Sequence, residues 1–274
     1  MLTLVTATLN AAGFVAGALA SAPHGAAIEH IVVDGGSTDR TVAICREFPS
    51  VDTVVVPGCT IYEAWNIGVE RARGDWIMFL NADDEFGENA AETVAACAAN
   101  QPTAEIVAGR ALMIDRDAPG AARLLVAAPG GRLGAGELAL GVPAINAMAF
   151  RRSLFERHGL FDTIYRVAGD RAFLLRLALR SPPTEVATSD AVLYRYYVHP
   201  GSLTLKRGLE QRLRIARDHM LLASSLLAEQ PPRHTARILR YWWRREATVA
   251  ALRCAAAGRL AESMRFTGRL LAGH

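Results

Sequence analysis

Lysine is almost absent from this chain. One residue, Lys206, stands against 29 arginines among 274 residues. The imbalance is read as codon preference of a GC-rich genome rather than as chemistry. Cysteine is scarce too: Cys45, Cys59, Cys97 and Cys254 lie far apart with no CxxC pair. That spacing excludes a zinc module and a disulfide scaffold, and fits a reducing compartment. No apolar run reaches the ~18 residues a spanning helix needs. The start, Met1-Leu2-Thr3, carries neither a basic segment nor a small-residue cleavage site. A secretory signal is therefore not expected, and the cytoplasm is the expected location. GxGxxG, GxxxxGK[ST], GxSxG and HExxH are all missing, so the chemistries they serve have no support. Internal repeats and low-complexity tracts are missing as well.

What is present points to a folded protein. Hydrophobic residues make up 51% and charged residues 21%, enough apolar surface for a sizeable core. The length suits one large domain or one and a half ordinary ones. The net charge of +3 is unevenly placed. Residues 206–274 hold fourteen basic and five acidic side chains, a net of +9, which leaves −6 for residues 1–205. An acidic body with no basic stripe before residue 206 argues against a nucleic-acid partner. The boundary falls near His199-Pro200-Gly201-Ser202, a turn-forming cluster.

The first hundred residues alternate between two periods. Leu2–Thr8, Ile28–Asp34, Thr53–Val56 and Trp76–Leu80 are short, nearly continuous apolar runs, as in strands covered on both faces. Between them lie helical patterns: Ala11–Ala22 behind a capping Asn10, Arg40–Phe48 behind Ser37-Thr38-Asp39, and Tyr62–Ala72 ended by Gly74. In the last, Trp65, Gly68, Val69 and Ala72 share one face. The alternation predicts an α/β fold with right-handed crossovers. Further on, Glu105–Ile114, Arg123–Ala127, Ile145–Phe150 and Val192–Val198 read as strands. Ser153–His158 and Asp170–Arg180 read as helices, and Pro129–Gly136 as a glycine-rich mobile loop. Beyond residue 206 the pattern is helical, in about three segments broken at Pro231-Pro232 and Gly258.

Several oxygen-bearing residues follow predicted strands, where α/β sheets bind ligands. Asp34 reads either as a turn residue or as an acceptor for a base or a sugar hydroxyl. Asn81-Ala82-Asp83-Asp84-Glu85 reads either as a solvated acidic loop or as hard oxygen ligands for Mg²⁺ or Mn²⁺ on a diphosphate. Asp170 reads as a helix N-cap or as a general base. His199 reads as a packed histidine or as a metal ligand.

Taken in order, these pieces resemble the inverting glycosyltransferases of family 2, with the GT-A fold, of the bacterial polysaccharide type. The likeness spans roughly residues 1–203. Thr6-Ala7-Thr8-Leu9-Asn10 is similar to the first strand and loop, which contact the nucleotide. Val32–Thr41 (VVDGGSTDRT) is close to the family's form, and its Asp34 would pair with the base. Tyr62–Gly68 resembles the segment beside the donor, and implies donor contact by Asn66. Phe79–Phe86 (FLNADDEF) resembles the DxD motif with Asn81 in place of its first Asp. Phe150-Arg151-Arg152, Gly159–Asp162 and Ala168-Gly169-Asp170 resemble the acceptor half, with Gly169 where an acid usually precedes the base.

The resemblance implies a mostly parallel central sheet flanked by helices, with a GT-A domain over 1–205 and a basic helical extension over 206–274. The nucleotide-binding half would be about 1–100 and the acceptor half about 101–205. It implies a nucleoside-diphosphate sugar donor held by Thr6, Asp34, Asn66, Asn81 and Asp83. It implies Mn²⁺ or Mg²⁺ on Asp83, Asp84 and His199, and Asp170 as the catalytic base. The acceptor would be a glycan or a lipid-linked molecule in cell-surface polysaccharide or glycolipid assembly. A metal-dependent nucleotidyltransferase and a non-catalytic nucleotide-sugar-binding module are the alternatives. In the tail, Arg233, Arg237, Arg240, Arg244 and Arg245 surround Tyr241-Trp242-Trp243. This reads as a helical cap on the core or as an amphipathic helix on the inner face of a membrane.

Overall fold

The computed structural model describes residues 1–116, 118–179, 183–199 and 208–271. The boundary expected near Pro200–Ser202 lies outside the described residues. Among those described, one mixed sheet contains β1 (Leu2–Thr8), β2 (Ile28–Asp34), β3 (Val51–Val55), β4 (Trp76–Asn81), β5 (Glu85–Phe86), β6 (Ile106–Asp115), β7 (Ala118–Val126), β8 (Met148–Arg151) and β9 (Val186–Val198). The order is β3-β2-β1-β4-β8-β6-β9-β5, with β7 on β6. The first four strands run parallel to one another. β8 runs antiparallel to β4 and β6, whereas β6 and β9 are parallel.

The helices are α1 (Val15–Ser21), α2 (Thr41–Arg46), α3 (Ile61–Arg71), α4 (Ala90–Asn100), α5 (Ala135–Leu140), α6 (Arg152–His158), α7 (Gly169–Ala178), α8 (Leu209–Ala228), α9 (Arg233–Ala256) and α10 (Leu260–Leu271). Strand β2 explains the layering. Val32 packs with Val15, Leu19 and Cys45 on the face covered by α1 and α2. Ile31 and Val33 pack with Ala64 of α3 on the other face. Residues one apart on a strand point to opposite faces, so a continuous apolar run is what two covered faces require.

Three local expectations change. The helix expected from Ala11 starts at Val15, because Asn10 adopts φ 49° and its side-chain carbonyl accepts from the Thr38 N–H at 2.9 Å. Ile145–Ala147 is a 3₁₀ turn ahead of β8. There Asn146 donates to Phe79 O at 3.1 Å and accepts from Tyr196 Oη at 2.7 Å, which draws the chain out of the strand. The glycine-rich stretch contains a 3₁₀ turn, Pro129–Gly131, and the start of α5.

Parallel register decides where the chemistry collects. Thr8 pairs with Asp34 and Ala7 with Asn81, so the three segments that follow β1, β2 and β4 leave the sheet at one edge. On the far side, β5 pairs with β9 through Glu85–Arg195 and Phe86–Tyr194, which returns the end of β9 to the acidic loop. A single core joins the halves: Phe155 stacks on Phe173 at 4.8 Å and Trp65 lies 4.6 Å from Phe79. Leu213, Met220, Trp242 and Trp243 of the C-terminal helices belong to that same core.

Candidate active site

A cleft of about 480 Å³ opens at the edge where β1, β2 and β4 end. Its walls come from Ala7–Ala11, from Cys59–Tyr62 at the start of α3, from Asn81–Asp84, and from Tyr196, Tyr197 and His199. Arg166, Val167, Gln211 and Arg214 complete it, so the first turns of α8 reach the site.

Asp83 and His199 meet across this cleft, with His199 Nε2 2.8 Å from Asp83 Oδ2. Both are partly exposed, at 30% and 12% of their side chains. Above them, Phe14 lies 4.8 Å from the His199 ring. The Arg116 guanidinium sits 4.7 Å from both the Phe14 and the Tyr197 ring centres and donates to the Asp83 carbonyl at 3.0 Å. Asp84 turns the other way and is buried. It accepts from Asn81 Nδ2, from Tyr194 Oη and from the Tyr197 N–H at 2.8–2.9 Å. Burial, and then the neighbouring charge of Asp83, push its carboxyl up to about 7. Asp84 thus braces β9 against the acidic loop, which leaves Asp83 as the carboxylate open to the cleft. Asn81 lines the cleft, and its buried side-chain Oδ1 has no hydrogen-bond partner among the described residues.

A carboxylate and an imidazole form a donor set that suits a hard divalent ion taking its other ligands from phosphate oxygens and water. Among the described residues no group of three or more His, Cys, Asp or Glu side chains converges on one metal position.

Asp170 begins α7 and is tied to the cleft wall. Tyr62 Oη donates to its Oδ1 at 3.1 Å, and the Arg171 N–H donates to the same oxygen at 2.7 Å. Oδ2 accepts no hydrogen bond among the described residues. Burial raises the Asp170 carboxyl above the ordinary carboxylate range, against the lowering effects of Arg171, Tyr62 and His219. Tyr196, a cleft residue, feels the charge of both Asp84 and Asp170. Asp170 itself is not among the residues that line the cleft; it stands behind the wall, bonded to the lining residue Tyr62.

Three residues expected at the donor lie off the cleft lining. Thr6 is fully buried within β1, with its hydroxyl 2.8 Å from His30 Nε2. The cleft contact of that segment comes instead from Ala7 through Ala11. Asn66 spends both ends of its amide on Phe161, donating to its carbonyl and accepting from its N–H at 2.9 Å, and so pins the loop before α7 to α3. Asp34 accepts from Thr8 Oγ1 at 2.6 Å and from the Gly36 and Ser37 N–H groups and the Ser37 hydroxyl. Burial raises its carboxyl, but these bonds outweigh burial and hold it below the ordinary range.

Sequence reasoning missed Tyr62, Phe14, Arg116, Tyr194 and Tyr196. The tyrosines carried a signal: Tyr194 and Tyr196 stand two apart in a strand and so share its face toward the site. Arg116 carried none, because only the β6–β9 pairing brings it near Asp83.

The sequence profile described as Glycosyl transferase family 2 matches residues 3–159, a stretch that ends before Asp170 and His199. A PGL/p-HBAD biosynthesis glycosyltransferase of Mycobacterium tuberculosis is 31% identical over 198 residues, spanning 64% of this chain and 69% of the relative. An uncharacterised glycosyltransferase of the same species is 30% identical over 169 residues, spanning 58% and 60%. Among solved structures, S. aureus TarS 1–349 superposes with a TM-score of 0.65 at 14% identity, covering all of this chain and 92% of that one. The same protein in complex with UDP-GlcNAc gives 0.61 at 14% identity, with the same coverage. Mannosyltransferase PcManGT from Pyrobaculum calidifontis, in complex with GDP-Man and Mn²⁺, gives 0.60 at 20% identity, covering all of this chain and 80% of that one. At such identities the solved structures speak for the fold, which is the GT-A architecture expected from the sequence.

Proposed function

This chain belongs to glycosyl transferase family 2, and from that premise we propose that its cleft moves a sugar from a nucleoside-diphosphate donor to an acceptor hydroxyl with inversion. The observation that carries this reading is the Asp83–His199 pair in the cleft, with Asp170 held directly behind it by the lining residue Tyr62 and one of its carboxylate oxygens uncommitted among the described residues.

Asn81 offers a buried acceptor with no partner among the described residues, which suits a ribose hydroxyl of the donor. Asp34 acts at the base end through the loop it holds, Gly36-Ser37. Thr6 supports β2 from the neighbouring strand through His30, and Asn66 pins the loop before α7 to α3. Asp83 and His199 would hold Mn²⁺ or Mg²⁺, with Asp84 fixing the loop behind them. The cation supplies charge stabilisation to the leaving diphosphate. Asp170 takes the proton of the acceptor hydroxyl as that oxygen attacks the anomeric carbon opposite the diphosphate. A carboxyl raised by burial accepts a proton more readily than a solvated one. Arg166 and Arg214 lie at the rim, where a glycan or lipid-linked acceptor enters. A biosynthetic acceptor is in keeping with the mycobacterial relative, a PGL/p-HBAD biosynthesis glycosyltransferase.

Asp170→Asn is expected to keep donor binding within about twofold while transfer falls by 10²–10⁴-fold, roughly the worth of a positioned base. Thermal shift with UDP-glucose, UDP-GlcNAc and GDP-mannose plus Mn²⁺ reads binding, and release of nucleoside diphosphate reads turnover. Wild-type turnover by the variant would remove Asp170 from the mechanism.

A further inference from the structure

We infer that Tyr62 is the positioning residue of the Asp170 base, and that Gly169 is glycine because the Tyr62 ring occupies the space where a side chain would stand. The inference rests on the assignment of Asp170 made above.

The geometry ties the three residues together. A Cβ built on Gly169 would stand 2.7 Å from Tyr62 Cδ2 and Cε2 and 2.8 Å from Cγ, far inside van der Waals contact. The ring cannot retreat easily. It stacks on Phe161 at 6.0 Å and meets Trp65 edge-on at 5.7 Å, and the residue is 4% exposed. Its backbone is fixed as well. Thr60 and Glu63 form a reciprocal capping box at the first turn of α3, so Tyr62 leaves a helix end that is held on both sides. From that mount the phenol reaches Asp170 Oδ1, which also takes the Arg171 N–H. Two donors on one carboxylate oxygen fix the rotation of the group and leave Oδ2 as the oxygen that meets a proton.

The chemistry of the pair runs in one direction. Burial and the charge of Asp170 raise the Tyr62 phenol well above its ordinary value, so it stays protonated and acts only as a donor. Its hydrogen bond favours the ionised carboxylate and thereby lowers the carboxyl against the effect of burial. The other groups that act on Asp170 are Arg171 on its own helix and His219 on α8, both of which favour the charged form, and Tyr196 on β9, which feels the Asp170 charge. Tyr62 is thus the donor that joins the base to the lining of the cleft. A side chain at position 169 and the Tyr62 ring in its present place exclude each other sterically.

The test uses the full-length protein. In Tyr62→Phe the ring remains and only the hydroxyl is lost. The acid limb of the kcat profile, read as nucleoside diphosphate release from the best of UDP-glucose, UDP-GlcNAc and GDP-mannose with Mn²⁺, is expected to move to higher pH by about half a unit to one unit. Turnover at neutral pH falls roughly tenfold with KM for the donor unchanged. The same upward shift is expected in a carbon-13 carboxylate titration of Asp170, which needs no turnover. Gly169→Ala displaces the ring and reproduces the shift, and the double variant shifts no further than either single one. A Tyr62→Phe protein whose carboxylate titration and acid limb both stay in place overturns the inference, as does a loss confined to KM or to thermal stability. If Asp170→Asn turns over normally, the fault lies in the base assignment instead.

Discussion

Thr6 and His30 are the residues whose structural role departs furthest from a reading by motif. His30 is 4% exposed, in the middle of β2, and burial depresses its imidazole from 6.5 to about 4, with a smaller contribution from His24. The neutral ring shares a hydrogen bond with the Thr6 hydroxyl, which satisfies two buried polar groups at once. The unfolded imidazole binds a proton below pH 6.5, but the folded one does not until about pH 4. The linked stability is therefore complete above pH 6.5 and declines as the pH falls from 6.5 towards 4. Its size is roughly 3 kcal/mol. Urea unfolding of the wild type at pH 7 and pH 4.5 should show that loss, and His30→Gln should flatten it. An equal pH dependence in both proteins would mean that other groups titrate on unfolding.

Helix α3 carries three duties at once. Its first turn mounts Tyr62, its middle holds the loop before α7 through Asn66, and its inner face meets β1. That inner face explains Gly68. A Cβ there would stand 2.2 Å from Val5 Cγ1, so the helix can lie this close to the sheet only without a side chain at that position. Gly68→Ala gains helix propensity but forces helix and strand apart, with a net cost of ~1–3 kcal/mol. The urea midpoint reads this directly, and an unchanged or higher midpoint would refute close approach as the reason for glycine. The apolar periodicity Trp65–Gly68–Val69–Ala72 was legible in the chain, whereas the Thr60/Glu63 capping box was missed. The clamp made by Asn66 was not legible, because its partner Phe161 lies 95 positions away.

At the scale of the whole molecule, the C-terminal helices belong to the catalytic body. Trp242 and Trp243 are 0% and 3% exposed, so they are core residues and not membrane anchors. The outer face of α9 keeps its arginines and Tyr241, which is 59% exposed. The reason lies in α7. The Arg171 guanidinium is buried, caps α5 by donating to the carbonyls of Leu138, Ala139 and Gly141, and sits 5.6 Å from the Trp242 ring centre. Glu246 of α9 pairs with His219 of α8 beside it. Among the described residues no helix is long and apolar enough to cross a membrane. Trp242→Ala is expected to cost about 3–5 kcal/mol, read as a lowered Tm. Tryptophan emission should not change on adding phosphatidylglycerol vesicles, since Trp65, Trp76, Trp242 and Trp243 are all buried. A vesicle-dependent spectral shift would show that the tail rearranges at a bilayer.

The chain by itself determined the alternation of apolar strand and amphipathic helix, the clustering of acids after strands, and the three-part helical tail. Those are properties of local periodicity and turn chemistry, and they act over a few residues. Only the tertiary structure decided which polar groups are left for a ligand. Asp34, Asn66 and Thr6 have the right chemistry, yet each satisfies its hydrogen-bonding capacity on neighbours brought up by sheet register and helix packing. Among the described residues Asn81 Oδ1 and one oxygen of Asp170 accept no hydrogen bond, and Asp83 faces the cleft with His199. Buried polar atoms are nearly always paired, and the folded chain alone fixes which atoms supply each other and which are left over.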